Sequence, residues 1–230
     1  MLTLFSFPAV WGQLSGSPFA AKTEAWLKLA GIPYELKAAD PRRAPNGKVP
    51  YIRHEGQLIG DSSRIQAHLT EAFDVQMDAK LTEAQRTVGH LLQRTLEESL
   101  YWVLVYLRWS DDEGFAPMKR ELARMMPALV FPIAWRVTRK KAVAQTVNQG
   151  TALLGYEGAI ARGKADLDAC AALLGSHPFL FGEKPCSFDA ILYAFFVNAL
   201  RSPNAHPLRI HAEQLDNLCA FVDRVEACFT

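Results

Sequence analysis

Pro50 narrows the folds open to this chain more than any other residue. It opens the apolar run Pro50-Tyr51-Ile52 directly after Gly47-Lys48-Val49. A proline has no N–H to donate to a sheet ladder, so a strand that begins with one begins at a margin, a bulge or an edge. A cis Val49-Pro50 bond would turn the Val49 N–H and C=O outward, where an extended peptide can pair with them as an added strand. Asp61-Ser62 follows a second short apolar run and precedes a helical pattern. That is the place of a helix N-cap, where free N–H groups can hold a carboxylate. Ser17 stands one residue before Pro18, which suits the first turn of another helix. Its hydroxyl would face the positive end of that helix.

The surrounding pattern predicts a β-α-β unit, a short connection and a β-β-α unit. Leu2 to Phe7 reads as a strand ended by Pro8, and Phe19 to Ala30 as a helix ended by Gly31. Tyr34 to Ala38 alternates as a second strand, and Pro41 to Gly47 is rich in breakers. Tyr51 to His54 and Gln57 to Ile59 flank Glu55-Gly56 as a hairpin, and Ser62 to Phe73 reads as a helix. A linker falls at 74–80. Beyond it the pattern is helical: from Leu81 to Trp109, a break at Asp111-Asp112-Glu113-Gly114, then Met118 to Met126, Phe131 to Gly150, Tyr156 to Leu174, Phe188 to Leu200, and Ile210 to Phe229. Two units are expected, 1–75 mixed α/β and 81–230 all-helical.

Composition excludes several function classes. Lys plus Arg is 25 against 24 for Asp plus Glu, so no global field favours nucleic acid. Cys170, Cys186, Cys219 and Cys228 form no CxxC and no zinc-ligand spacing, and the six histidines are scattered, so no metal is expected. Free thiols point to a reducing, cytoplasmic setting. No apolar run approaches bilayer length; Ala190 to Leu200 contains Asn198 and reads as a buried core helix, so no membrane span is expected. Arg136-Val137-Thr138-Arg139-Lys140-Lys141, beside Trp135, is the one strong basic cluster, either a solvated helix face or a contact for acidic headgroups or a partner.

Ser17-Pro18-Phe19 with Lys22 and Glu24, Gly31-Ile32-Pro33-Tyr34-Glu35, Gly47 to Ile52, Asp61-Ser62-Ser63, Glu97 to Trp102 and Phe179 to Pro185 carry a family resemblance. Together they resemble the cytosolic glutathione transferase superfamily, and within it the failed-axon-connections and metaxin-like branch. The resemblance implies a thioredoxin-like N-terminal domain followed by an all-α domain. It also implies that Ser17 stabilises the thiolate of bound glutathione. Val49, before Pro50, would pair with the cysteinyl unit, Asp61 and Ser62 would hold the γ-glutamyl end, and Lys48 would meet the glycine carboxylate. The alternative for Ser17 and Asp61-Ser62 is ordinary helix capping. Ala20 stands where a resolving cysteine would be, and Phe5 and Phe7 leave no tyrosine in the first strand, so cysteine and tyrosine mechanisms are not expected.

Trp102, Tyr106 and Trp109, with Phe115, either wall a pocket for a small apolar electrophile or form core. Asp189 is expected to be structural, in a capping box where Cys186 replaces the usual Ser or Thr and Ser187 is a substitute cap. Glu97-Glu98 does not read as a catalytic pair. The resemblance implies a homodimer that conjugates glutathione. Its rival is a non-catalytic binding or scaffold protein on the same fold, favoured by the short connection between the second and third strands and by Ala20.

Overall fold

The computed structural model describes residues 1–110 and 112–229. Its first part holds β1 (Thr3–Ser6), α1 (Pro18–Leu29), β2 (Glu35–Ala38), β3 (Tyr51–His54), β4 (Gln57–Gly60) and α2 (Ser62–Ala72). The four strands form one sheet in the order β2-β1-β3-β4. β2 lies parallel to β1, while β1 with β3 and β3 with β4 are antiparallel. The β3–β4 hairpin turns through Glu55 and Gly56, at φ 49° and 80°. That pair of positive φ values twists in the sense of the strands it joins. Gly31 ends α1 at φ 65°, where a side chain would be strained. The connection from β2 to β3 contains a single 3-10 turn, Pro45–Gly47, and no full helix. All four residues of β2 are exposed despite their alternating pattern, because β2 is an edge strand.

The second part opens with α3 (Glu83–Thr95), whose start is a capping box. Thr82 Oγ1 accepts from Gln85 N at 3.2 Å, and Gln85 Oε1 accepts from Thr82 N at 2.9 Å. A π-helical segment, Leu96–Leu100, joins it to α4 (Tyr101–Trp109). Next come α5 (Asp112–Met125), α6 (Phe131–Gln149), α7 (Gly155–Leu174), α8 (Ser187–Leu200), α9 (Pro207–Glu213) and α10 (Asp216–Ala227).

Two expected helix boundaries are corrected. The break after Trp109 falls where it is expected, but Asp112, Glu113 and Gly114 lie beyond it and open α5, where acidic side chains suit a helix start; Asp111 lies outside the described residues. The segment from Ile210 to Phe229 is two helices. Pro207 starts α9 with His206 as its cap, and the chain breaks after Glu213. Leu208, Ala212, Leu218, Phe221, Val222 and Val225 are all buried, so the apolar spacing runs through the break and conceals it.

α8 is the central post. From Asp189 to Ala199 it is buried throughout. Asp189 accepts from Leu180 N at 2.8 Å and Cys186 N at 2.7 Å, a structural role as expected. Ser187 is not the substitute cap: its hydroxyl accepts from Trp26 Nε1 at 3.0 Å, tying α8 to α1. One continuous core runs from Leu2 and Leu4 through Trp26, Ile52 and Leu69 to Phe195, Phe221 and Val225.

Candidate active site

Strand register gathers distant segments at one end of the sheet. Phe5 faces Tyr51, and Tyr51 faces Gly60. The end of β1, the start of β3 and the end of β4 are therefore cross-strand neighbours. Val49-Pro50, which is cis, leads directly into Tyr51, and Asp61-Ser62 follows Gly60. The Pro45–Gly47 turn is pressed against the same place, with Pro45 Cβ 3.0 Å from where a Cβ on Gly60 would stand. The loop after β1 carries the chain to Ser17 and α1, and the Lys22 ammonium, one turn into α1, feels the charge of Asp61. Two helix N-termini thus meet at this end, each bringing a partial positive charge.

Several polar groups here are left without partners. Asp61 caps α2 through Oδ1, which accepts from Ser63 N and Arg64 N at 3.0 Å each, and its C=O takes Ile65 N. The N–H of Ser62, first in the helix, has no hydrogen-bond partner among the described residues. Ser62 is buried and Asp61 exposed. Ser17, the N-cap of α1, makes no capping bond with its hydroxyl, although its N–H donates to Ser15 Oγ at 3.3 Å. It is half-buried, as is Val49, whose N–H and C=O are likewise unpaired among the described residues. Lys48 is exposed.

Beneath this end lies a charged cluster that the sequence did not announce. Buried Lys22 pairs with buried Glu97 of the π segment, and Arg94 closes on the other oxygen of Glu97. Gln93 Nε2 donates to both Glu97 oxygens, at 3.1 and 3.2 Å, and to Ser63 Oγ at 3.1 Å. Burial lowers the Lys22 ammonium below its ordinary pKa, against the pull of Glu97. The available signal was a lysine three residues after Phe19 and four before Trp26, on the stripe that faces the core.

A second support comes from α4 and α8. Arg108 donates to the Gly16 carbonyl and, at 3.2 Å, to Asn198 Oδ1, and its guanidinium lies 5.4 Å from the Trp11 ring centre. Asn198 Nδ2 donates to Ser15 O at 3.4 Å and Ala194 O at 3.0 Å. Burial lowers Arg108 to about 10. No carboxylate pairs with it among the described residues, so a cation faces the peptide group that carries Ser17.

The aromatic candidates, spaced by four and three along α4, share one face but rest against different neighbours. Trp102 stands edge-on to Tyr101 at 5.0 Å, Tyr106 packs on the core, and Trp109 lies 5.5 Å from Phe115, whose other neighbour is Trp135 at 5.6 Å. A cavity of about 390 Å³ instead opens between the β1–α1 loop and α10, lined by Ala9, Val10, Trp11, Leu14, Tyr193 and Phe229. Its residues are distant in sequence, so no local pattern marked it. His54 and His68 form a further unforeseen pair, Nδ1 to Nε2 at 3.0 Å.

Residues 18–114 match the family described as Glutathione S-transferase N-terminal domain, and residues 163–225 match Glutathione S-transferase, C-terminal domain. The chain is 28% identical over 234 residues to Isoprene-epoxide--glutathione S-transferase of a Rhodococcus species, covering 98% of each chain. It is 29% identical over 227 residues to Failed axon connections of Drosophila melanogaster, covering 93% of this chain and 54% of that protein. Human Metaxin-1 is 25% identical over 235 residues, covering 97% of this chain and 50% of its own, so the chain spans about half of these last two relatives. Among solved structures, glutathione transferase GSTFuA3 from Phanerochaete chrysosporium superposes with a TM-score of 0.68 at 15% identity, covering 100% of this chain and 97% of that one. A Methylobacterium radiotolerans glutathione S-transferase in complex with glutathione sulfonate gives 0.60 at 17%, covering 98% and 90%.

Proposed function

The chain belongs to the glutathione S-transferase superfamily, and we propose that it binds glutathione and transfers its sulfur to a small apolar electrophile. The observation that carries the proposal is the set of uncommitted groups at one end of the sheet: the Ser17 hydroxyl, the Val49 backbone and the Ser62 N–H. In this reading Val49 pairs with the cysteinyl backbone, Ser62 binds the γ-glutamyl carboxylate by its N–H and hydroxyl, and Asp61 and Lys48 meet the ammonium and the glycine carboxylate. Pro50 positions Val49.

Ser17 donates to the sulfur and holds it as thiolate, helped by the N-terminus of α1 and the Arg108 cation behind Gly16. The thiol proton leaves to solvent. The relative named for isoprene epoxide makes an epoxide the first electrophile class to test. With an epoxide, the thiolate attacks a ring carbon, a C–S bond forms as the C–O bond breaks, and the alkoxide takes a proton from water. The electrophile enters either beside Trp102, Tyr106 and Trp109 or through the cavity under the β1–α1 loop. A homodimer in the cytoplasm completes the proposal.

The second reading is a binding or scaffold protein on the same fold. What favours it is the single 3-10 turn between β2 and β3, which leaves the glycine end of a bound peptide without a covering helix. Calorimetric titration with reduced glutathione and with S-methylglutathione separates the two readings, followed by thiolate absorbance of the bound peptide. Binding of both ligands with a lowered thiol pKa is the expected result. Absence of heat for either ligand leaves the scaffold.

A further inference from the structure

An uneven surface that includes none of these site residues lies at the tip where α5 turns into α6. Every residue from Ala123 to Ile133 is exposed except Met126 and Phe131, which are half-buried. Four large apolar side chains stand out in it and just beyond it: Leu129 is 95% exposed, Ile133 70%, Val137 62% and Val130 53%. Single exposed apolar residues are ordinary, but a contiguous group of this kind marks a contact surface.

The charge around the tip is equally lopsided. From Lys119 to Lys141 there are seven basic residues and one acid, Glu121, a net +6 in a chain of net +1. The rest of the molecule is therefore net negative, and its field orients the tip towards anions. Arg124 is held by Glu121 at 2.8 Å and Arg139 by Asp112 at 2.7 Å. Arg120, Lys140 and Lys141 are exposed and form no ion pair among the described residues. Lys119 and Arg136 flank the Trp135 ring, 4.3 and 4.8 Å from its centre.

We propose that the α5–α6 tip is a docking surface for an anionic lipid bilayer, with Leu129, Val130, Ile133 and Val137 entering the interface and Arg120, Arg136, Lys140 and Lys141 meeting the headgroups. The layering fits. Ile133, Val137 and Lys141 are spaced by four and share one face of α6, so at 1.5 Å per residue the ammonium row begins about 6 Å behind the last apolar side chain. Interfacial segments bury their apolar face to about that depth. A second copy of this chain is the less suited occupant, because a two-fold contact would set one basic ring against the other. No helix among the described residues is long and apolar enough to cross a membrane, so the contact is superficial.

The test is flotation of the full chain with vesicles of phosphatidylcholine alone or with about 30% phosphatidylglycerol, at about 0.1 M and 0.5 M salt. The expected result is binding to the anionic vesicles only, weakened by salt. Leu129→Asp with Ile133→Asp abolishes it, and Lys140→Glu with Lys141→Glu weakens it at least about tenfold. All four positions are exposed, so both variants should keep the wild-type circular dichroism and melting temperature. No flotation with anionic vesicles, or flotation that neither variant alters, overturns the proposal. So does a tip-dependent dimer in sedimentation velocity without vesicle binding, or binding to polyglutamate in place of lipid.

Discussion

Ser17 and Ser62 differ in what they are asked to do, and their substitutions should separate accordingly. Ser17 acts only where the sulfur is, so Ser17→Ala should lower turnover about a hundredfold while S-methylglutathione binds as before. Equal losses in turnover and affinity would make Ser17 a positioning residue. Ser62 meets a carboxylate present from the first encounter, so Ser62→Ala should weaken glutathione binding by about 1–3 kcal/mol, read by calorimetry. Unchanged affinity would remove Ser62 from the site. The buried pair below them makes a ranked prediction in urea denaturation. Glu97→Gln leaves Lys22 and Arg94 as like charges with no anion between them, and should cost about 3–5 kcal/mol. Lys22→Met leaves Glu97 with Arg94 and Gln93, and should cost less. The opposite order would mean that Lys22, not Glu97, is the keystone of the cluster. Ser17, Val49 and Ser62 were legible as candidates because capping and proline chemistry act between adjacent residues. Lys22 with Glu97 was not, because its partner depends on how helices pack.

Elements show the same division. The hairpin at Glu55-Gly56, the Gly31 stop and the Asp61 cap were readable, since each is set by the φ preference or side chain of the residues in place. The division of the last helical segment into α9 and α10 was hidden by apolar spacing that continues across it. α10 is clasped to α8 and to the β1–α1 loop by one group. Arg201 is bidentate to Glu226 at 2.6 and 2.9 Å, Tyr193 donates to Glu226 at 2.8 Å, and Arg201 also donates to Gly12 O at 2.6 Å. Burial raises the Glu226 pKa, but the bonds from Arg201 and Tyr193 outweigh it and hold the carboxyl below its ordinary 4.5. A lowered folded pKa means that the stabilisation is present above pH 4.5 and is lost as the pH falls through the folded value. Glu226→Gln should therefore cost about 1–2 kcal/mol at neutral pH, a modest figure because the clasp is about a third exposed. The gap between wild type and variant should close in acid, as followed by denaturation at several pH values. A gap that widens in acid would contradict the sign.

At the scale of the whole molecule, the core does not stop between the mixed part and the helical part. Trp26 of α1 reaches Ser187 of α8, Lys22 reaches Glu97, and Arg108 reaches Gly16. Thermal unfolding should then be one transition, with tryptophan fluorescence and far-ultraviolet circular dichroism coincident, shifted upward as a unit by glutathione. Two separated transitions, with only one moved by ligand, would mean that the two parts are energetically independent. The sequence by itself determined which segments are strand and helix in the first part, where Pro50 must sit, and that Ser17 and Asp61-Ser62 stand at helix starts. Those properties arise from neighbouring residues and survive any packing. Tertiary structure alone decided that Lys22 meets a glutamate 75 positions away, that Arg108 backs a carbonyl 92 positions away, and that Leu129 and Ile133 are left uncovered. Contact between distant residues, or its absence, depends on how helices seat against a shared core, and no local pattern encodes it.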